Sequence, residues 1–433
     1  MSQLWIDRGQ FVTMDGPQEV FEGHMLIEQD RIIYIGEQPP EHVAPDAQRI
    51  SGKGLLFMPG LINTHGHAAM SLLRGYSDDQ VLQVWLEQKM WPMEGRYEQE
   101  DTKVGTELAI LEMLKSGTTT FVDMYDRMDT VAEAVERSGM RAWLARGVIG
   151  LCSEQEQLEK LEEAKRFAEQ WNGRGEGRIH TMLSPHAPYT CPPAFIEQFV
   201  KAAHDLNVML HTHMSETAAE VEQNVRDYGC RPPEHLDKLG FFSMPSFVAH
   251  AVHLNDEEIA LLAERGVAVS HNPASNLKLA SGVARVPELL QAGVHVSLGT
   301  DSAASNNNLD LFDEIRLAAL IHKGVSGDPT AVPAIAALEL ATLGGAATLG
   351  QSQSLGRLQA GMKADFIAID IDQPHFYPRT SLVSHLVYAA SGRDVRHVWV
   401  DGKQIVKDQI CLQLDEERIL AEAQQRFDAL LAK

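Results

Sequence analysis

Between residues 58 and 362 the chain alternates two hydrophobic patterns. Short apolar runs at Leu61–His67, Thr119–Met124, Ala142–Arg146, Ile179–Ser184, Val208–His213, Phe247–His250, Val267–His271 and Val294–Thr300 read as strands. Longer stretches of helical periodicity fill the gaps, among them Asp101–Lys115, Glu154–Gln170, Pro193–Asp205 and Asp256–Glu264. Eight strand–helix units in succession predict an α/β fold, a (β/α)8 barrel of the TIM type.

The two ends follow a different pattern. Met25–Glu28 and Arg31–Gly36 flank Gln29-Asp30 with hairpin spacing, and Asp365–Asp370 and Val395–Gly402 are again β-rich, with a turn at Asp401-Gly402. A small β-sandwich domain built from residues 1–57 and 363–433, around a catalytic barrel of residues 58–362, is the economical arrangement. The last helical stretch, Asp415–Lys433, is expected to pack on its outside. Ala331–Gly350 is the most apolar long run, but it carries Glu339 and is mostly Ala, Gly and Thr, so it reads as a soluble helix and not a membrane span.

Composition narrows the function. The chain has 433 residues, ordinary globular hydrophobicity at 44%, and 60 acidic against 37 basic residues, a formal charge of −23. Without a run of Lys and Arg, that balance disfavours nucleic acid and anionic membranes as partners. Cys152, Cys191, Cys230 and Cys411 are scattered and none forms C-x-x-C, which argues against a disulfide framework and fits a reducing cytoplasm. The start, Met1–Arg8, brings acid before any apolar core and does not read as a signal peptide.

Ionisable residues fall where the apolar runs stop: His65, His67, Asp123, Arg146, His186, His213, His250, His271 and Asp301. Barrel enzymes build their sites at the C-terminal ends of the strands, so these side chains are expected to converge on one mouth. A lone histidine there is usually a hydrogen-bonded core residue, but so many at once point to chemistry. His65-Gly66-His67 puts two imidazoles on the same side of an extended segment. Together with His213 and Asp301 they make a set of three imidazoles and one carboxylate, suited to Zn²⁺ or Fe²⁺ and not to Mg²⁺ or Ca²⁺. His211 is an alternative ligand by spacing alone, and is read as supporting structure.

Met58–His67, Ser270–Lys278 and Gly299–Asn306 resemble the amidohydrolase superfamily, and more narrowly its 5′-methylthioadenosine/S-adenosylhomocysteine deaminases. The resemblance extends to Gly361–Asp365 and covers nearly the whole chain. It implies metal ligation by His65, His67, His213 and Asp301, a proton-shuttling Glu216, and His250 beside the attacking water. It further implies that Glu94 holds ribose hydroxyls and that Arg146, His186, Glu216 and Asp301 contact substrate. The implied reaction is hydrolytic deamination of adenine nucleosides (5′-methylthioadenosine, S-adenosylhomocysteine, adenosine) to inosine analogues and ammonia. The alternative is another aminohydrolase or an s-triazine chlorohydrolase on the same metal set. One metal per chain is expected, most simply Zn²⁺ with Fe²⁺ as the other candidate, because Ile179–Ser184 lacks the lysine that bridges two ions in other members. The loop Gly147–Leu158 has no arginine for the homocysteine tail. Members of the family often assemble, so a cytoplasmic homo-oligomer is a further expectation.

Overall fold

A computed structural model describes residues 3–16 and 20–433; Met1 and Ser2, where the reading of the N-terminus begins, lie outside the described residues. The N-terminal segment forms β1 (Gln3–Phe11), β2 (Phe21–Glu28), β3 (Arg31–Gly36), β4 (Gln48–Ser51) and β5 (Leu55–Pro59). β2 and β3 pair antiparallel with Glu28 opposite Arg31, the hairpin expected at Gln29-Asp30. Gly60 separates β5 from β6 (Leu61–Asn63), the first barrel strand.

The barrel continues through β7 (Thr118–Tyr125), β8 (Arg141–Val148), β9 (Ile179–Pro185), β10 (Met209–Met214), β11 (Ser246–His250), β12 (Ala268–His271) and β13 (Val296–Leu298). All seven neighbouring pairs, from β6 to β13 in chain order, are parallel. Thr64 N donates to Leu298 O at 2.9 Å and draws the first and eighth strands together. These strands are buried along almost their whole length, as a parallel sheet covered by helices must be. The chain then returns to the first sheet through β14 (Phe366–Asp370), β15 (Val395–Val400), β16 (Lys403–Lys407) and β17 (Ile410–Cys411). β14 pairs with β5, so both ends of the chain contribute to one mixed nine-stranded sheet. Phe11, Phe57, Phe366 and Trp399 fill its core, the last two stacked with ring centroids 4.5 Å apart.

Helices start where local chemistry satisfies their free N–H groups. Ser153 and Glu156 form a capping box on Glu154–Trp171, and Asn255 and Glu258 do the same on Asp256–Arg265. The last helix, Glu416–Ala432, lies outside the barrel against Gln99–Lys115, tied by Arg426 to Asp101 and Arg418 to Glu107.

Three elements differ from the sequence reading. The first and eighth strands stop at Asn63 and Leu298, short of His67 and Thr300. There the Asn63 side chain adds to the backbone bonds Thr64 N–Leu298 O and Asp301 N–His65 O: its Oδ1 accepts from Thr300 N at 3.0 Å and its Nδ2 donates to Thr300 Oγ1 at 2.7 Å. The expected helix within Ala331–Gly350 breaks at Thr342 into Ala334–Leu340 and Leu343–Thr348. The second piece runs directly against the barrel, so close that a Cβ on Gly344 would meet Val296 O at 2.2 Å.

Candidate active site

A pocket of about 340 Å³ opens at the C-terminal ends of the barrel strands, within the size range of small-molecule sites. His67, His213, His250 and Asp301 line it, as do Glu94, Arg146, His186 and Glu216. His65 lies beneath them, fully buried. Two of the expected residues turn away. His271 faces the outer helix layer, 5.3 Å from the His322 ring, and Asp123 accepts from Ala68 N at 2.8 Å and braces the turn after His67. Neither lines the pocket.

The imidazoles are held in one tautomer by backbone carbonyls, which can only accept. His67 Nδ1–H donates to Met124 O and His213 Nδ1–H to His186 O, both at 2.7 Å. For His65 the same information passes through a second ring. His211 Nδ1–H donates to Phe247 O at 3.1 Å, which leaves His211 Nε2 to accept from His65 Nδ1–H at 2.9 Å. Both ring nitrogens of His211 are thus engaged, and its ring supports His65. In all three site histidines the bare Nε2 lone pair points inward.

These lone pairs face one another and a carboxylate. His213 Nε2 is 3.4 Å from His67 Nε2, and Asp301 Oδ1 is 3.6 Å from His65 Nε2 and 3.4 Å from His67 Nε2. Among the described residues, buried His65 Nε2 has no hydrogen-bond partner. Acceptors converging in this way are satisfied only by a cation, so the donor set fits a divalent metal. The His65, His67 and His213 donor atoms lie within 4.8 Å of one another, and so do those of His65, His250 and Asp301. Burial and neighbouring histidines push His65 and His213 far below the usual histidine range, which keeps them neutral as ligands must be. Burial likewise takes His186 down to about 3.

Asp301 is oriented from behind. Its Oδ2 accepts from Ser275 Oγ at 2.6 Å and Ser305 Oγ at 3.0 Å, and Ser302 N donates to Oδ1 at 2.8 Å. The backbone of Asp301 is left-handed at φ 59°, and so are Ser215 at 52° and His250 at 73°, a cluster of strain at the site. Gly299 permits the close approach here, since a Cβ would meet Asn272 Oδ1 at 2.4 Å and His65 Cβ at 2.8 Å.

Glu216 follows β10, and its Oε2 lies 3.7 Å from His250 Nε2. Burial raises the Glu216 carboxyl above its ordinary range. The turn that carries it is clamped by Glu220, which accepts from Ser215 N at 2.9 Å and Glu216 N at 2.7 Å. Burial resists charge on His250, but Glu216 and Asp301 raise its pKa on balance, and its Nδ1 pairs with Asn276 Oδ1 at 2.8 Å. Arg146 is held by Asp126 at 3.1 Å and Glu163 at 3.2 Å. The loop without an arginine is followed by Lys160, which does reach the pocket wall and donates to Ile149 O at 3.0 Å. Sequence reading passed over Lys160, Glu220, Ser275, Ser305 and Asn276. Ser275, Asn276 and Ser305 lie inside the segments that carry the family resemblance but had no role read for them, and Glu220 carried the T-x-x-E spacing from Thr217 that marks a helix start.

Residues 56–405 match the Amidohydrolase family. A 5-methylthioadenosine/S-adenosylhomocysteine deaminase of Pelotomaculum thermopropionicum is 47% identical, with 98% of each chain covered. The solved structure of a zinc-bound adenosine deaminase from Xanthomonas campestris superposes with a TM-score of 0.93 at 36% identity, covering 99% of both chains. Zinc-bound atrazine chlorohydrolase from Arthrobacter aurescens gives a TM-score of 0.90 at 27% identity, covering 99% of this chain and all of the other. With a family match over most of its length and a barrel whose strand ends gather the histidines and aspartate, the chain belongs to the amidohydrolase family.

Proposed function

We propose that this chain is a metal-dependent aminohydrolase that deaminates adenine nucleosides: 5′-methylthioadenosine, S-adenosylhomocysteine and adenosine. The observation that carries this reading is a donor set for one metal in the same pocket as an acid, Glu216, and a second carboxylate, Glu94. Relatives named for this activity at 44–49% identity support it. The s-triazine reading has weaker support, at 27% identity, and leaves a pocket carboxylate such as Glu94 without a purpose.

His65, His67, His213 and Asp301 hold the metal, taken as a single Zn²⁺ with Fe²⁺ equally suited to the donors. When bound, it supplies the Lewis-acid charge that makes water nucleophilic near neutral pH. Asp301 takes a proton from the attacking water. Glu216 gives a proton to purine N1 as the tetrahedral carbon forms at C6 and recovers one from the C6 hydroxyl as the carbonyl forms, while the proton held by Asp301 is delivered to the departing ammonia with the help of Glu216. Its raised pKa suits a group that must be protonated in one step and ionised in the next. His250 orients the water and stabilises the developing negative charge. Glu94 accepts from the ribose hydroxyls, while His186 and Arg146 bear on the rest of the nucleoside.

In this reading residues 58–362 are the catalytic barrel, and 1–57 with 363–433 form the supporting domain. The enzyme works in the cytoplasm as a homo-oligomer, in keeping with four free cysteines. None of the described helices is long and apolar enough to cross a membrane.

The test is ammonia release by zinc-loaded protein from 5′-methylthioadenosine, S-adenosylhomocysteine, adenosine and free adenine. Turnover of the nucleosides supports the reading, and none from any of them overturns it. Methylthioadenosine is expected to lead S-adenosylhomocysteine, because Arg146 is already paired with Asp126 and Glu163. Equal rates would assign the charged tail to Lys160 instead.

A further inference from the structure

Glu94 sits in an unusual electrostatic position. It ends the short helix Trp91–Glu94, which follows a π-helical turn at Leu86–Met90, a rare geometry frequent at functional sites. Its carboxylate lines the pocket near Asp126, and among the described residues no Lys, Arg or His pairs with it. An acid in such surroundings needs neutral O–H or N–H donors, since it has no cation. One is present. Tyr125, the last residue of β7, donates its Oη–H to Glu94 Oε1 at 2.5 Å. Burial raises the Glu94 carboxyl while the Tyr125 hydrogen bond pulls it back toward the ionised form. Burial and the Glu94 charge push the phenol well above its usual range, so it remains a donor.

The bond does more than stabilise a charge. It uses one lone pair of Oε1 and fixes the rotation of the carboxylate. Among the described residues no side chain donates to Oε2, and Glu94 lines the pocket, so acceptor capacity is left for a ligand there. Two neighbouring O–H groups on a ligand match that arrangement, and a planar heterocycle without hydroxyls does not. Tyr125 is itself anchored, because β7 and β8 pair with Tyr125 opposite Arg146.

We propose that Tyr125 is a positioning residue that sets the preference for ribosylated substrates, by holding Glu94 in the orientation that accepts from a vicinal diol. This rests on the nucleoside reading above. The residue touches no reacting atom, and its effect passes through Glu94.

The experiment compares Tyr125→Phe with the parent enzyme on adenosine and on 2′,3′-dideoxyadenosine, and repeats the comparison in a Glu94→Gln background. Loss of a hydrogen bond to a charged group predicts a roughly tenfold fall in kcat/KM for adenosine, carried mainly by KM. The dideoxynucleoside, which lacks the diol, should change less than ~2-fold, and Tyr125→Phe should add nothing once Glu94 is Gln. Equal losses on both nucleosides, or no loss on adenosine, overturn the proposal while leaving nucleoside deamination intact. A parent enzyme that deaminates neither nucleoside overturns the functional reading, and this proposal with it.

Discussion

Replacing Arg141 with Met tests what fastens the terminal sheet to the barrel. Arg141 opens β8 at the end of the barrel remote from the pocket, and its side chain is 3% exposed. Its Nε donates to Asp365 Oδ2 at 2.8 Å and its Nη2 to Asp401 Oδ1 at 2.6 Å. Asp401 N also donates to Asp365 Oδ1 at 2.8 Å, and Lys363 Nζ lies 3.0 Å from Asp401 Oδ1. Burial opposes the guanidinium charge, but the two carboxylates hold its pKa above the ordinary value. Methionine keeps much of the volume and strands both buried acids, a change that typically costs ~3–5 kcal/mol. Lys363 still neutralises part of that charge, so the expectation is ~3 kcal/mol, a factor of more than ~100 in the ratio of folded to unfolded protein. The assay is guanidinium denaturation followed by tryptophan fluorescence, read as a lower midpoint at unchanged slope. Adding Asp365→Asn should restore part of the loss. Because the network lies at the stability face of the barrel, kcat of the folded variant should match the parent. A loss below ~1 kcal/mol, or a fall in kcat without loss of stability, refutes the reasoning.

Three further outcomes are expected. Glu216→Gln should lower kcat by ~10²–10⁴ with little change in substrate affinity, measured by steady-state ammonia release and equilibrium binding. Gly299→Ala should cut metal retention after dialysis, because its Cβ would displace His65 or Asn272. Burial holds Glu314 protonated to about 8, so the folded state keeps a proton that the unfolded chain has released above its ordinary value of 4.5. The stability this group contributes is therefore fully present below pH 4.5 and declines as pH rises to about 8. Glu314→Gln should flatten that decline in calorimetry across the same range.

Much of the site was legible because its chemistry sits where apolar runs end. His213 and His250 lie at the ends of β10 and β11, His65, His67 and Asp301 follow β6 and β13 within four residues, and a barrel gathers such positions at one mouth. His271 shows the limit of that argument. On a strand one residue of offset decides whether a side chain faces the pocket or the outer helices, and His271 meets His322 on the outer helix Leu311–Ser326. Asp123 likewise serves the backbone at Ala68. The supports were hidden for another reason. Ser275 meets Asp301 and Asn276 meets His250 through folding of segments 26 residues apart, and Ser305 reaches back to Asp301 from the short helix four residues on, with no periodic pattern to mark any of them. Tyr125 and Glu94, 31 residues apart, are brought together in the same way. The eight-strand order was readable from alternation, whereas the reach of Asn63 to Thr300 across the closure of the barrel, 237 residues apart in sequence, leaves no such pattern.

The central claim is that one metal held by His65, His67, His213 and Asp301 is required for deamination. Its most direct test is to strip the protein with a chelator, return Zn²⁺ stepwise, and follow bound metal and ammonia release from 5′-methylthioadenosine together. The account predicts no release from the stripped protein and a plateau of activity at one equivalent per chain. Activity that survives stripping, or rises in proportion to a second equivalent, would contradict it.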